Sequence, residues 1–258
     1  MSELLHRPGP CDHLIQAYTD DRFLAEVVAE YLAAGFGQGE GAVVIATPAH
    51  RALFTEHLLA RGIDGAAAVE AGTLLVLDAE ATLPQFMVDG AADRERFFGV
   101  VASALDRVRA TGCRGIRLYG EMVDLLWRDN LPGTVQLEEL WNQVLADTRL
   151  SLLCAYRMDP LDARVKGVLR QVTRCHSHLV PVADYGRFAD AVNRAYAEVF
   201  GVDGDVTALR ELMITRADLS TVMPAAHAAM FALDQLPPVL SSALRERTQS
   251  LYRPETVS

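Results

Sequence analysis

Five short apolar runs, separated by amphipathic stretches, constrain this chain more than any other feature. They are HLIQAY (13–18), AVVIAT (42–47), TLLVLD (73–78), IRLYG (116–120) and LSLLCAY (150–156). A continuous β-branched run such as AVVIAT suits a strand covered on both faces, because neither side needs to meet water. Between the runs, apolar residues recur at helical spacing. Asp20 or Asp21 caps a stripe of Phe23, Leu24, Val27, Val28, Tyr31 and Leu32 that Gly35 closes, and Thr47-Pro48 opens a helix that ends at Gly62. Phe97, Val100, Val101, Ala104, Leu105 and Val108 mark another helix between about Asp93 and Ala110, with further helices expected around 134–148 and from about 161 to 174. Strands alternating with helices predict an α/β fold, a mostly parallel sheet with helices on both faces and five strands.

After VPVADY the pattern changes. From Arg187 to Tyr252 only helical periodicity remains, broken at Gly201–Gly204 and at Pro237-Pro238. Residues 183–258 hold seven Arg against ten Asp plus Glu, a net of −3, which is a poor surface for nucleic acid. An all-α extension is expected here, serving as a small bundle or dimerisation element, or packing onto the main layer.

Half of the residues are hydrophobic and 22% are charged, enough for a large core. The formal charge of −10 argues against a phosphate-backbone binder. Four cysteines without a spaced framework read as reduced thiols. The start, MSELLHRPGP, has neither the basic nor the apolar region of a signal peptide, and no run of 18 apolar residues occurs. A cytoplasmic protein without membrane contact is the expectation.

Several motifs could carry chemistry. GFGQGEG (35–41) lies where a helix passes into a strand, whereas a phosphate cradle needs a strand passing into a helix, so a C-cap and turn is expected. The single lysine, Lys166, sits between Val165 and Gly167 and cannot serve a phosphate loop. Glu121 follows Gly120 at a strand end; it either faces a ligand crevice or caps the following MVDLLW turn. Trp141 shares a stripe with Leu137, Leu140, Val144 and Leu145, and Glu138 can share part of that face. Cys154 lies inside an apolar strand, where a buried thiol is the default. In RCHSH (174–178), Cys175 with His178, or His176 with His178, are close enough to share a metal. Cys11-Asp12-His13 could add ligands if the first strand neighbours that segment. The grouping is looser than a zinc signature, and hydrogen-bonding histidines at a helix end are the plainer reading. His13 and Tyr18 are five apart and therefore face opposite sides of one strand.

The wording of the chain resembles one sensory family. HLIQAY, GFGQGEGAVVIATPAH, GTLLVLDAEATL with FMVDG, RFFGVV, RLYGEMVDLLW, LEELWN, SLLCAY and CHSHLVP are similar, in this order over about residues 11–182, to the MEDS domain, a DcmR-type sensory domain. The resemblance implies a KaiC- or RecA-like fold lacking a working phosphate loop. It also implies a non-catalytic sensor of small organic molecules, commonly joined to kinase-type or DNA-binding output modules. Carried over motif by motif, the ligand-binding residues would be His13, Tyr18, Tyr119, Glu121, Trp127, Glu138, Trp141, Cys154, His176 and His178. The division expected is a sensory α/β domain over 11–182 and a helical extension over 183–258.

The leading expectation is thus a sensor without cofactor, binding a small organic molecule in a crevice at the C-terminal rim of its strands. Tyr119, Glu121, Trp127 and Trp141 would form the walls. Output would pass through the helical tail, a homodimer, or a regulatory partner of kinase, anti-sigma or transcription-factor type. The rivals are a metal-dependent enzyme or metal-binding sensor using Glu121, His176 and His178, and an interaction module whose degenerate nucleotide site is filled by side chains.

Overall fold

The computed structural model describes residues 2–146, 150–162, 164–202, 206–217 and 219–252. In chain order the elements are α1 (Ser2–His6), β1 (His13–Tyr18), α2 (Asp21–Gly37), β2 (Gly41–Ala46), α3 (Pro48–Ala60), α4 (Gly65–Glu70) and β3 (Leu74–Asp78). Then come α5 (Ala79–Thr82), a 3-10 turn (Leu83–Gln85), β4 (Met87–Val88), β5 (Ala91–Ala92), α6 (Arg94–Arg109), β6 (Ile116–Gly120) and α7 (Met122–Leu126). Next are α8 (Leu131–Ala146), β7 (Leu150–Arg157), α9 (Lys166–Thr173), β8 (His178–Leu179), α10 (Tyr185–Phe200) and α11 (Thr207–Arg216). The chain finishes with α12 (Ala225–Ala232), a second 3-10 turn (Leu233–Gln235) and α13 (Pro238–Tyr252).

The main sheet is wholly parallel and has six strands, in the order β3-β2-β6-β7-β1-β8. All five apolar runs are strands in it. The sixth, β8, is a correction to the five-strand reading. It is two residues long, and His178 therefore lies in an edge strand beside Leu14, not at a helix end. The expected helix ends at 147–148, together with Ala163 and Gly204, lie outside the described residues. FMVDG forms a separate antiparallel hairpin. Asp89 and Gly90 both have positive φ, 50° and 82°, the two-residue turn that an Asp-Gly pair favours.

The strand register divides the core. His13 pairs with Leu152, and Ile15 with Cys154, so His13, Ile15, Leu152, Cys154 and Tyr156 share one face, covered by α6, α8 and α9. Leu14, Tyr18, Tyr119 and Leu153 share the other, covered by α1, α2 and α3. As expected, His13 and Tyr18 point to opposite sides. Arg117 pins the second face together. Its buried guanidinium donates to Glu40 at 2.6 Å and to the carbonyls of Leu5, Tyr31 and His6 at 2.5–2.8 Å, tying α1 and α2 to β6. Gly35 makes the necessary room, because a Cβ there would stand 2.5 Å from the Arg117 Cδ.

Helices α10 to α13 bury a third apolar cluster, built on Phe188, Val192, Tyr196, Leu233 and Leu244. The tail meets the sheet edge through its 221–222 segment. Thr221 donates to the Thr173 carbonyl at 2.6 Å, Val222 N–H to Ser177 at 2.8 Å, and Leu179 N–H to Val222 at 2.9 Å. No helix among the described residues is long and apolar enough to cross a membrane.

Candidate functional site

Four of the residues singled out by sequence converge between the sheet and α8. His13 opens β1, Cys154 stands mid-strand on β7, Glu138 comes from α8, and His176 follows α9. Their ligand-type atoms all lie within 4.8 Å of one another, and no residue of the four is more than 4% exposed. The His13 Nε2 is 3.3 Å from the Glu138 Oε2 and 3.3 Å from the Cys154 Sγ, and the His176 Nε2 is 3.3 Å from the Glu138 Oε1. The two imidazoles lie 3.9 Å apart, centroid to centroid.

The surroundings set the tautomers. The Asn142 amide donates to the Cys175 carbonyl at 2.8 Å, which turns its Oδ1 towards His13 Nδ1 at 2.9 Å. The His176 Nδ1 meets the Val172 carbonyl at 2.7 Å. Both Nδ1 atoms therefore donate outward, and both Nε2 atoms face the Glu138 carboxylate. Outer groups that orient imidazoles in this way are characteristic of metal centres. Among the described residues the His176 Nε2 has no hydrogen-bond partner. Tyr156 donates its hydroxyl to the Glu138 Oε1, and the Cys154 thiol lies 3.6 Å from the Oε2. Burial opposes ionisation of Glu138, but His176 and His13 outweigh it and hold the carboxyl below the usual carboxylate range. Burial, reinforced by His13, holds His176 below its ordinary value, while burial and then Glu138 push the Cys154 thiol up. Cys175 is also raised, to about 12, by burial and by Glu138 and Glu139.

A second network occupies the opposite face, at the C-terminal rim. The Glu121 carboxylate accepts the backbone N–H of Thr47, a 2.6 Å bond from His50 Nδ1 and a 2.9 Å bond from the Tyr119 hydroxyl. It forms no side-chain cap on α7, correcting that reading; it stabilises the start of α3 instead, where a carboxylate suits the helix dipole. Burial opposes a charged Glu121, but His50 and Thr47 prevail and lower it; burial likewise opposes the rise in His50 that Glu121 and Asp21 produce. Asp124 accepts from Tyr18 at 3.2 Å, from the Trp127 indole at 2.8 Å and from Arg157 N–H at 2.7 Å. The N-terminus of α2 is occupied by its own Asp20, which accepts from Arg22 and Phe23 N–H, so an acid sits where a nucleotide phosphate would need a donor.

The residues expected around one crevice are divided between the two networks. Tyr18, Tyr119 and Glu121 belong to the rim network, which Trp127 joins only through its indole N–H; its ring packs in the same cluster as Trp141, which stands edge-on to Phe97, 5.0 Å away on the other face. The metal set Glu121, His176 and His178 is also corrected. Glu121 lies across the sheet from His176, and His178 Nδ1 meets the Ser177 hydroxyl at 2.9 Å, half-buried at the edge. The first strand does neighbour the RCHSH segment, and it is His13 that adds to His176. Sequence reading missed Tyr156, Asn142, His50 and Asp124. The only signal for them was periodicity, Asn142 lying one turn beyond Glu138 and Asp124 three residues before Trp127.

A family model described as MEDS, the methanogen/methylotroph, DcmR sensory domain, matches residues 12–177, well over half of the chain. The match includes all four residues of the buried quartet. Comparison with curated proteins finds no match. The chain belongs to the MEDS family of sensory domains.

Proposed function

We propose that this chain is a non-catalytic sensor whose input is a divalent transition metal held by His13, Glu138, Cys154 and His176. One observation carries the reading: a buried His176 Nε2 has no hydrogen-bond partner among the described residues and faces a carboxylate 3.3 Å away. An Nε2 atom opposing a carboxylate is stable only with a cation or proton between them. The spacing supports the same conclusion. Donors on a tetrahedral zinc, bound at about 2.0–2.3 Å, stand about 3.3–3.8 Å apart. Three of the donor pairs here are at 3.3 Å.

Two imidazoles, a carboxylate and a thiol suit a zinc-class ion. With four protein ligands in a closed site, no position remains for substrate, which favours a sensory over a catalytic role. The output lies close by, because His176 stands between Thr173 and Ser177, which bond the tail at Thr221 and Val222. Metal release would loosen that segment and change what the tail offers a regulatory protein of kinase, anti-sigma or transcription-factor type.

The test is metal analysis of untagged protein, followed by cobalt substitution. One equivalent of metal is expected, with a thiolate-to-cobalt charge-transfer band that Cys154→Ser abolishes. Protein that neither retains zinc nor develops the band refutes the reading.

A second reading, a small organic ligand at the rim, is favoured by a different observation. A small cleft is lined by Tyr18 and Phe23 of the sheet layer and by Phe188 and Tyr252 of the tail. Tail protection in hydrogen exchange that responds to a small alcohol or halocarbon, but not to metal, would favour it over the metal.

A further inference from the structure

A separate polar cluster joins the sheet layer to the helical tail. Asp234, in the 3-10 turn after α12, faces three cations. Lys166, at the start of α9, forms an ion pair with its Oδ1, and the Arg170 Nη1 donates to its Oδ2 at 2.6 Å. The Arg245 Nη2 of α13 stands 3.8 Å from the Oδ1, too far for a hydrogen bond. Arg245 is only 8% exposed. Its Nη2 reaches the Met230 carbonyl at 3.3 Å, but its Nε has no hydrogen-bond partner among the described residues.

A buried guanidinium normally has its donors filled, because leaving one unmade costs more than a surface ion pair returns. Burial also pulls Arg245 below the usual arginine range. Three cations share one carboxylate here, in a chain whose formal charge is −10 and whose only lysine is Lys166. These groups line a small cleft that opens to solvent, with Leu169, Met230 and Phe231 as an apolar floor.

We propose that this cleft is an anion site, binding a small molecule that carries a carboxylate or phosphate group. The anion meets Arg245, Arg170 and Lys166, while an apolar portion lies on Leu169 and Phe231. An oxyanion neutralises the local surplus of positive charge. Because Lys166 and Arg170 belong to α9 and Arg245 to α13, a bound anion clamps the tail against the sheet layer. The site is independent of the quartet and would act as a second input on the same tail.

Calorimetric titration of the full chain at low ionic strength tests this, with sodium butyrate and sodium phosphate in separate arms and sodium chloride as the reference. Saturable heat in either arm above chloride is expected, and the responding arm identifies the head group. Lys166→Gln, a change in a side chain about a third exposed, should weaken binding about tenfold or more, the loss of one charge-assisted contact. Asp234→Asn removes the competing carboxylate and should tighten binding by a similar factor. No saturable heat in either arm overturns the proposal, and so does unchanged affinity in Lys166→Gln, which a purely structural ion-pair network would give.

Discussion

Replacing Glu138 with glutamine distinguishes a metal ligand from a buried hydrogen-bond acceptor. In metal-free protein the amide keeps the volume of the carboxylate. Its oxygen still accepts the Tyr156 hydroxyl, and its nitrogen can donate to the unpartnered His176 Nε2. The exchange then costs no more than one net hydrogen bond, about 0.5–1.5 kcal/mol. In metal-loaded protein the arithmetic differs. Free metal at about a thousand times Kd adds about 4 kcal/mol to the wild-type fold. Glu138→Gln takes away the ligand that is already anionic, since the neighbouring Cys154 thiol is pushed up and must release a proton to bind. Changes outside a metal's own ligands cost about 10–100-fold in affinity, so losing a direct ligand costs at least the upper end. At the same free metal the variant gains only about 1.4 kcal/mol. The difference of nearly 3 kcal/mol corresponds to about 5–10 °C in a chain of this size. Thermal unfolding of both proteins, each with chelator and with zinc, reads it directly. If zinc leaves the wild-type midpoint unmoved, or Glu138→Gln costs the same number of degrees in both conditions, the carboxylate holds no cation.

Two further outcomes are expected. His227, buried between Tyr185 and Phe188 with neither ring nitrogen bonded among the described residues, is pushed by burial down to about 3. The unfolded chain therefore binds a proton that the folded chain refuses between pH 6.5 and 3; stability falls as pH drops through that window, by up to about 1.4 kcal/mol per pH unit. His227→Phe should flatten this slope and stabilise the protein at neutral pH by about 1–2 kcal/mol, as measured by urea denaturation at several pH values; an unchanged slope would count against the account. Arg117→Lys cannot reproduce four donor contacts on one planar group, so it should cost about 3 kcal/mol and expose α1 to limited proteolysis while the rest of the chain resists.

The strands were readable because each is a dense apolar run, and the parity of β1 already separated His13 from Tyr18. The two-residue β8 could not be read, since His178 and Leu179 have no periodicity of their own and owe their place to β1 and to Val222. All four quartet residues were visible one at a time, but their grouping was not. Cys154 looked like an ordinary buried thiol, and Glu138 like a helix residue beside Trp141. What joins them is the pairing of His13 with Leu152, a parallel contact across more than half of the chain, which no local spacing encodes. The Glu121 partners were hidden for the same reason, since His50 and Thr47 reach it from a neighbouring strand–helix turn.

Strand β1 leaves the ribosome before every other strand of the sheet, yet both of its neighbours, β7 and β8, come from residues 150–179. At about 5–20 residues per second, its apolar edges wait several seconds or more for a partner during synthesis. His13 is exposed for the same interval, and its three companions arrive in the order 138, 154 and 176. A coordinating ion would thus act as a late fastener, closing a loop that spans residues 13 to 176 only after the last edge strand has docked. Folding of this chain should depend on chaperones that shield an early unpaired strand, and metal supplied before residue 176 emerges should do nothing to speed it.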